Sequence, residues 1–329
     1  MVIPHFRQVN LGVAGALLAM SAAPANARRP VCVAVAPELP AILSHPGTAG
    51  PALALRARAA PPSESVLRMY RESGAKNVVP HRMTEAEWKA IEEAVGRLPP
   101  LYRQVLQNHL RHLSFVDTPP GAGNALTSRL LCDGRPMFDL TLRSGLFNET
   151  LTEFLNGKEG SLFVADASGY QVRLEAGSSP ALAFILLHEL THAVDMALGV
   201  LDEDQGTLGA GVWTDKNRGL AGPYAGSLVT RTIWRGGSKI PIGQAPALYG
   251  ALSNTPFPTV YATAYGSEDL AETVAWEQLS ERFGVTLRIE VRDHQGATVF
   301  AYEPLKSPLV RARFPAVERL LLRREAQNE

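Results

Sequence analysis

Charge of one sign is what this chain most plainly lacks. Lysine plus arginine and aspartate plus glutamate each total 32, so the formal net charge is zero. That balance removes the electrostatic case for a nucleic-acid partner or an anionic membrane surface. The arginines near the end (Arg311, Arg313, Arg319, Arg323, Arg324) read as a solvated helix face. Cysteine is nearly absent, with Cys32 and Cys132 alone. Two thiols so far apart do not make a zinc knuckle. They admit one disulfide in an oxidising compartment, or else two unpaired buried thiols. Long apolar runs are scarce as well. Beyond the N-terminal stretch, no segment reaches about 18 apolar residues without a charge, so no membrane anchor is expected after that stretch. What remains is an ordinary globular composition, 46% hydrophobic over 329 residues, enough for one large domain or two modest ones. No internal repeat is visible.

Residues 1–27 read as a secretory signal peptide. Arg7 precedes an apolar stretch, Leu11–Ala23, which ends in the small-x-small pattern Ala25-Asn26-Ala27. The expected location is therefore outside the cytoplasm, periplasmic or secreted. Arg29-Pro30-Val31 before Cys32 is not a lipoprotein-type box. Residues 28–62 are rich in proline and alanine and predict a loosely ordered lead-in. The domain proper is expected over 63–329.

Helical signals begin at Ser63. Thr84-Glu85-Ala86-Glu87 is a capping box opening a helix to about Arg97, before Pro99-Pro100. A second helix is predicted over 101–113. Phe138–Leu142 alternates as a strand does. Asn148 is a candidate cap for a short helix to about Leu155. Leu162–Val164 and Tyr170–Leu174 suggest a hairpin around Ala167-Ser168-Gly169. Ser179-Pro180 starts a long, almost wholly apolar helix that Gly199 stops. The segment 200–243 is glycine-rich and long for an internal loop, which favours a binding role over a packed element. A short helix over 244–253, a helix capped by Ser267 and running to Phe283, a hairpin of 285–291 with 297–302, and a closing helix over 315–325 complete the pattern.

The long apolar helix carries His188-Glu189-Leu190-Thr191-His192, an HExxH. Residues four apart lie one above the other on a helix face. Two imidazoles there can reach one zinc ion, and Glu189 beside the first can take a proton from water. Polar groups on so apolar a helix are costly unless something uses them. A chance HExxH arises in roughly one such chain in a hundred. A catalytic site needs a third ligand, and the extended HExxHxxGxxH pattern fails, with Asp195 and Leu198 at its later positions. The segment Ser267–Glu272 supplies two carboxylates four apart, Glu268 and Glu272. One can bind the metal, and the other can accept a hydrogen bond from a ligand imidazole. Asp195, three past His192, either orients that histidine or packs at the helix end. His109 and His112 have no glutamate between them and read as a solvated helix face. His294 reads as a turn residue.

His188–Asp195 (HELTHAVD) together with Glu268–Glu272 (EDLAE) resembles the gluzincin zinc metallopeptidases. The likeness is to the catalytic domain of anthrax lethal factor and related bacterial peptidases, and it covers residues 180–280. The resemblance implies Glu268 as the third ligand and Glu272 behind a ligand histidine. It implies Tyr265 as the hydroxyl that steadies the oxyanion, with Tyr261 as competitor because the family's tyrosine sits further upstream. The implied fold is α+β and zincin-like: a mixed or antiparallel sheet beside the HELTH helix, the second ligand helix crossing under it, and a mainly helical N-terminal cap. The implied activity is hydrolysis of a peptide or protein substrate with one Zn²⁺. The alternatives are a non-catalytic cell-envelope binding protein on the same scaffold, and an amidase acting on peptidoglycan cross-links.

Overall fold

The computed structural model describes residues 31–34, 54–119, 123–201, 208–215 and 219–322. The expected signal peptide, residues 1–27, lies outside these, as do Arg323 and Arg324. Parts of the expected loose lead-in are built into the fold. Cys32–Ala34 forms strand β1, and Cys32 is disulfide-bonded to Cys132. Leu55, in the 3-10 turn Leu55–Arg58, is buried in the main core.

Helices α1 (Glu64–Glu72), α2 (Glu85–Gly96) and α3 (Pro100–His109) follow. Ser63 caps the first, and Thr84 with Glu87 closes the capping box on the second. The third ends earlier than its sequence predicts. At Leu110 the chain becomes strand β3 (Leu110–Asp117), which pairs in parallel with β5 (Arg135–Arg143). A short apolar run fits either state locally, and here the available sheet partner decides it. Between them β4 (Ala125–Cys132) pairs antiparallel with β5. Asp133 and Gly134 make the turn, with φ of 48° and 78°. Asp-Gly is the pair that tolerates two positive φ angles in a two-residue hairpin. Strand β2 (Val79–Pro80) closes a mixed five-stranded sheet in the order β1-β4-β5-β3-β2.

Helix α4 (Leu151–Gly160) is capped by Thr150 and Glu153 rather than by Asn148. The expected hairpin after it does not form. Strand β6 (Phe163–Val164) pairs in parallel with β8 (Ile240–Pro241), and β7 (Gln171–Glu175) pairs with β9 (Arg288–Arg292). Strands β9 and β10 (Thr298–Tyr302) do form the hairpin the sequence suggests. Helix α5 (Ala181–Leu198) starts after Pro180 without a side-chain cap, and Gly199 ends it at φ 64°, donating its N–H to Asp195 O. It lies on β4 and β5, with α2, α3, α4 and α7 (Gly266–Phe283) packed around it. Among the described residues it alone has the length and hydropathy to cross a membrane, yet 78% of it is buried inside the protein. The glycine-rich segment is more packed than expected: Trp213, Val229, Ile233 and Trp234 join the core. Helix α6 (Ala245–Ser253), α8 (Pro308–Arg311) and α9 (Phe314–Leu322) finish a mixed α/β architecture with one main core.

The disulfide closes a loop across 100 positions of sequence. Cys132→Ser is expected to cost about 2–4 kcal/mol in chemical unfolding. It should leave any metal stoichiometry unchanged, because Cys132 lies at the far end of β4 from the α5 histidines.

Candidate metal centre

Helices α5 and α7 pack directly on each other. The four-residue spacing on α5 stacks His188 over His192, their rings 5.1 Å apart and at 83°. The first turn of α7 faces them. Glu268 Oε2 lies 3.0 Å from His188 Nε2 and 3.7 Å from His192 Nε2. Ligand atoms of these three residues all fall within 4.8 Å of one another, so the group can hold a metal ion.

Electrostatics follow from that geometry. Burial pushes the Glu268 carboxyl up, but the charge of His192 and hydrogen bonds from both imidazoles outweigh it and hold the group well below the carboxylate range. Burial pulls His192 down, and the charge of Glu268 more than reverses this, raising it.

The donor set fits a metal on one further ground. His188 Nδ1 is buried without a hydrogen-bond partner, and Glu272 Oε1 is 3.5 Å from it. A ligand histidine coordinates through one nitrogen and donates through the other, usually to a carboxylate. Were His188 to hold a metal through Nε2, its proton would sit on Nδ1, with Glu272 Oε1 at 3.5 Å as the acceptor. Glu272 is itself fixed by Lys158 Nζ at 3.0 Å, Thr259 Oγ1 at 2.8 Å and Trp276 Nε1 at 3.2 Å, all donating to it.

Glu189 lines the same cleft, and its Oε2 accepts from Thr127 Oγ1 on β4 at 2.8 Å. The cleft has a volume of about 390 Å³. It is lined from α1, β4, α4, α5 and the first turn of α7, and by Trp234 and Tyr261. Tyr261, not Tyr265, reaches it. Its ring centroid is 6.0 Å from that of His188. Burial, with Glu268, Glu189 and Glu272 around it, raises the phenol well above its ordinary value, so it stays protonated and can donate. Tyr265 is the residue just before α7 and is not among the cleft's lining. Ser267, the expected helix cap, falls inside α7 and does not perform that role.

Of the two readings of Asp195, the structure gives helix-end packing. Its Oδ1 accepts from Leu201 N–H at 2.8 Å, and its Oδ2 faces Arg129 at 3.4 Å. His112 stands on β3 rather than on a helix, 3.8 Å from Asp139, and His109 Nδ1 donates to Pro136 O at 2.8 Å. His294 sits in the β9–β10 turn, as expected. Sequence reasoning missed Thr127, Lys158 and Thr259. No local pattern marks them, since each reaches the centre by tertiary packing.

Comparisons of the chain with protein-family models, with curated proteins and with solved structures found no match. The resemblance noted in the sequence therefore rests on the two motifs HELTHAVD and EDLAE alone.

Linkage gives a signature. The depressed Glu268 value stabilises the fold above 4.5 and is lost as pH falls through the folded value. The raised His192 value stabilises below 6.5 and is lost as pH rises through the folded value. The metal-free pair thus contributes most between 4.5 and 6.5. The thermal stability of metal-free protein should fall as pH rises beyond that window. Protein loaded with a divalent metal should gain stability over the same range, because ligand imidazoles must be unprotonated. Parallel pH trends in the two forms would contradict a shared His192 site.

Proposed function

We propose that this protein is an exported zinc-dependent peptidase of the gluzincin type. The observation that carries the reading is the convergence of His188, His192 and Glu268 at one point, with Glu189 lining the cleft that opens onto it. The donor set of two imidazoles and a carboxylate matches a catalytic zinc site, which keeps one position open. When bound, zinc supplies Lewis acidity toward a peptide carbonyl and the attacking water. Glu189, steadied by Thr127, takes the water's proton and later passes it to the leaving amine. Tyr261, kept protonated by its surroundings, donates a hydrogen bond to the developing oxyanion. The family likeness favours a tyrosine upstream of the α7 glutamate, and Tyr261 answers to that better than Tyr265.

A peptide substrate is supported by the shape of β4. Strand β1 pairs with its last three residues, Leu130–Cys132. Among the described residues, no strand pairs with Ala125–Arg129 on the side opposite β5. Ala125, Leu126, Thr127 and Arg129 line the cleft. An extended chain can add there as a further strand. Export is supported by the Cys32–Cys132 disulfide, since such bonds persist in oxidising compartments.

Glu189→Gln should lower turnover of unfolded peptide substrates by about 10³-fold while zinc stoichiometry stays at one. A variant that retains biological activity would instead favour a non-catalytic binding protein. Cleavage of purified cell wall but of no soluble peptide would favour the amidase.

The two tyrosines separate in the same assay. Tyr261→Phe should lower kcat by about 10²-fold with KM little changed, and Tyr265→Phe should leave kcat nearly intact. The reverse pattern would move the hydroxyl's role to Tyr265.

A further inference from the structure

Glu272 faces His188 through Oε1, and what fixes that oxygen is a residue of a third helix. Lys158, near the end of α4, donates to Glu272 Oε1 at 3.0 Å. Its ammonium also lies 3.5 Å from the centroid of the Tyr261 ring, a distance at which the ring's negative face holds a cation. Thr259 and Trp276 both donate to the other oxygen, Oε2. Among the described residues, Lys158 is thus the hydrogen-bond donor on the oxygen that looks at His188 Nδ1. The lysine side chain is 18% exposed and the carboxylate 1%, so both sit largely out of water.

We infer that Lys158 is a positioning residue of the metal centre, holding Glu272 Oε1 where a ligand His188 needs its acceptor. The inference rests on the reading of His188, His192 and Glu268 as a metal site. A carboxylate behind a ligand histidine fixes its tautomer and ring orientation and raises its basicity. That support works only if the carboxylate itself cannot turn. With Lys158 gone, Glu272 keeps its two donors on Oε2 and can pivot about them, swinging Oε1 away from the imidazole. An ordinary charge-neutralising lysine would affect folding but would not act on metal affinity through Glu272.

The test is a double-mutant cycle read in zinc affinity, by competition with a chromophoric chelator on the full mature chain. Lys158→Met should weaken zinc about tenfold, within the range seen when such supporting partners are lost. Lys158→Arg, which keeps a donor and a charge, should retain most of the affinity. In a Glu272→Gln background, Lys158→Met should change affinity by less than about twofold, because the partner it acts through is already altered. The double variant leaves no unpaired buried charge, so it guards against simple loss of folding, checked by circular dichroism. Equal losses in both backgrounds, or full affinity in Lys158→Met, overturn the inference. If the unaltered chain binds no zinc, the metal-site reading falls, and this inference with it.

Discussion

A helix apolar on nearly every side carries two imidazoles and a carboxylate into the protein interior. Leaving such groups buried without partners costs about 1–3 kcal/mol apiece, more where a charge is involved. The architecture is arranged around satisfying them. Helix α7 must cross α5 so that Glu268 and Glu272 meet His188 from two sides. Helix α4 must deliver Lys158 to Glu272, and β4 must deliver Thr127 to Glu189. Thr191, on the same stretch, donates to Leu187 O and accepts from Tyr102 of α3. Three elements, α7, β4 and α3, are thereby tied to α5 by its polar minority rather than its apolar majority, and α4 is tied in through Glu272.

The first turn of α7 is anchored with equal care. Asp269, next to Glu268, takes both guanidinium nitrogens of Arg313 at 2.7 and 2.6 Å, and Trp213 Nε1 at 2.7 Å. Arg313 also donates to Leu208 O and Pro256 O. One buried ion pair thus joins the glycine-rich segment, the loop before α7 and the C-terminal helices. Breaking a buried pair by removing one partner is strongly destabilising, and here the damage would fall beside Glu268.

The candidate site was legible in sequence where its spacing is helical. His188, Glu189 and His192 share one helix, and Glu268 and Glu272 another, so a four-residue period exposes both sets. The choice between Tyr261 and Tyr265 was not legible. It depends on the 3-10 turn Tyr261–Thr263, which aims one ring at the cleft, and on α7 beginning at Gly266 rather than after Ser267. For the fold, capping boxes and glycine stops located helices well. Strands β3 and β4 escaped because their apolar runs have no period that distinguishes them from helix. The Asp133-Gly134 turn was the one local clue to that hairpin. Strands β6 and β7 read as neighbours, yet each takes a partner distant in sequence.

Among the described residues, no strand covers Ala125–Arg129 of β4 on the side away from β5, so on the peptidase reading a substrate would meet main-chain donors and acceptors there. A peptide seated there would be held by its own amides, which every amino acid except proline provides alike. Discrimination would then fall on conformation before composition. A locally unravelled segment fits such a rail, while a helix or a folded domain has its amides already engaged and does not. If the protein is the proposed peptidase, intact globular proteins would be spared except at their loose ends and frayed loops.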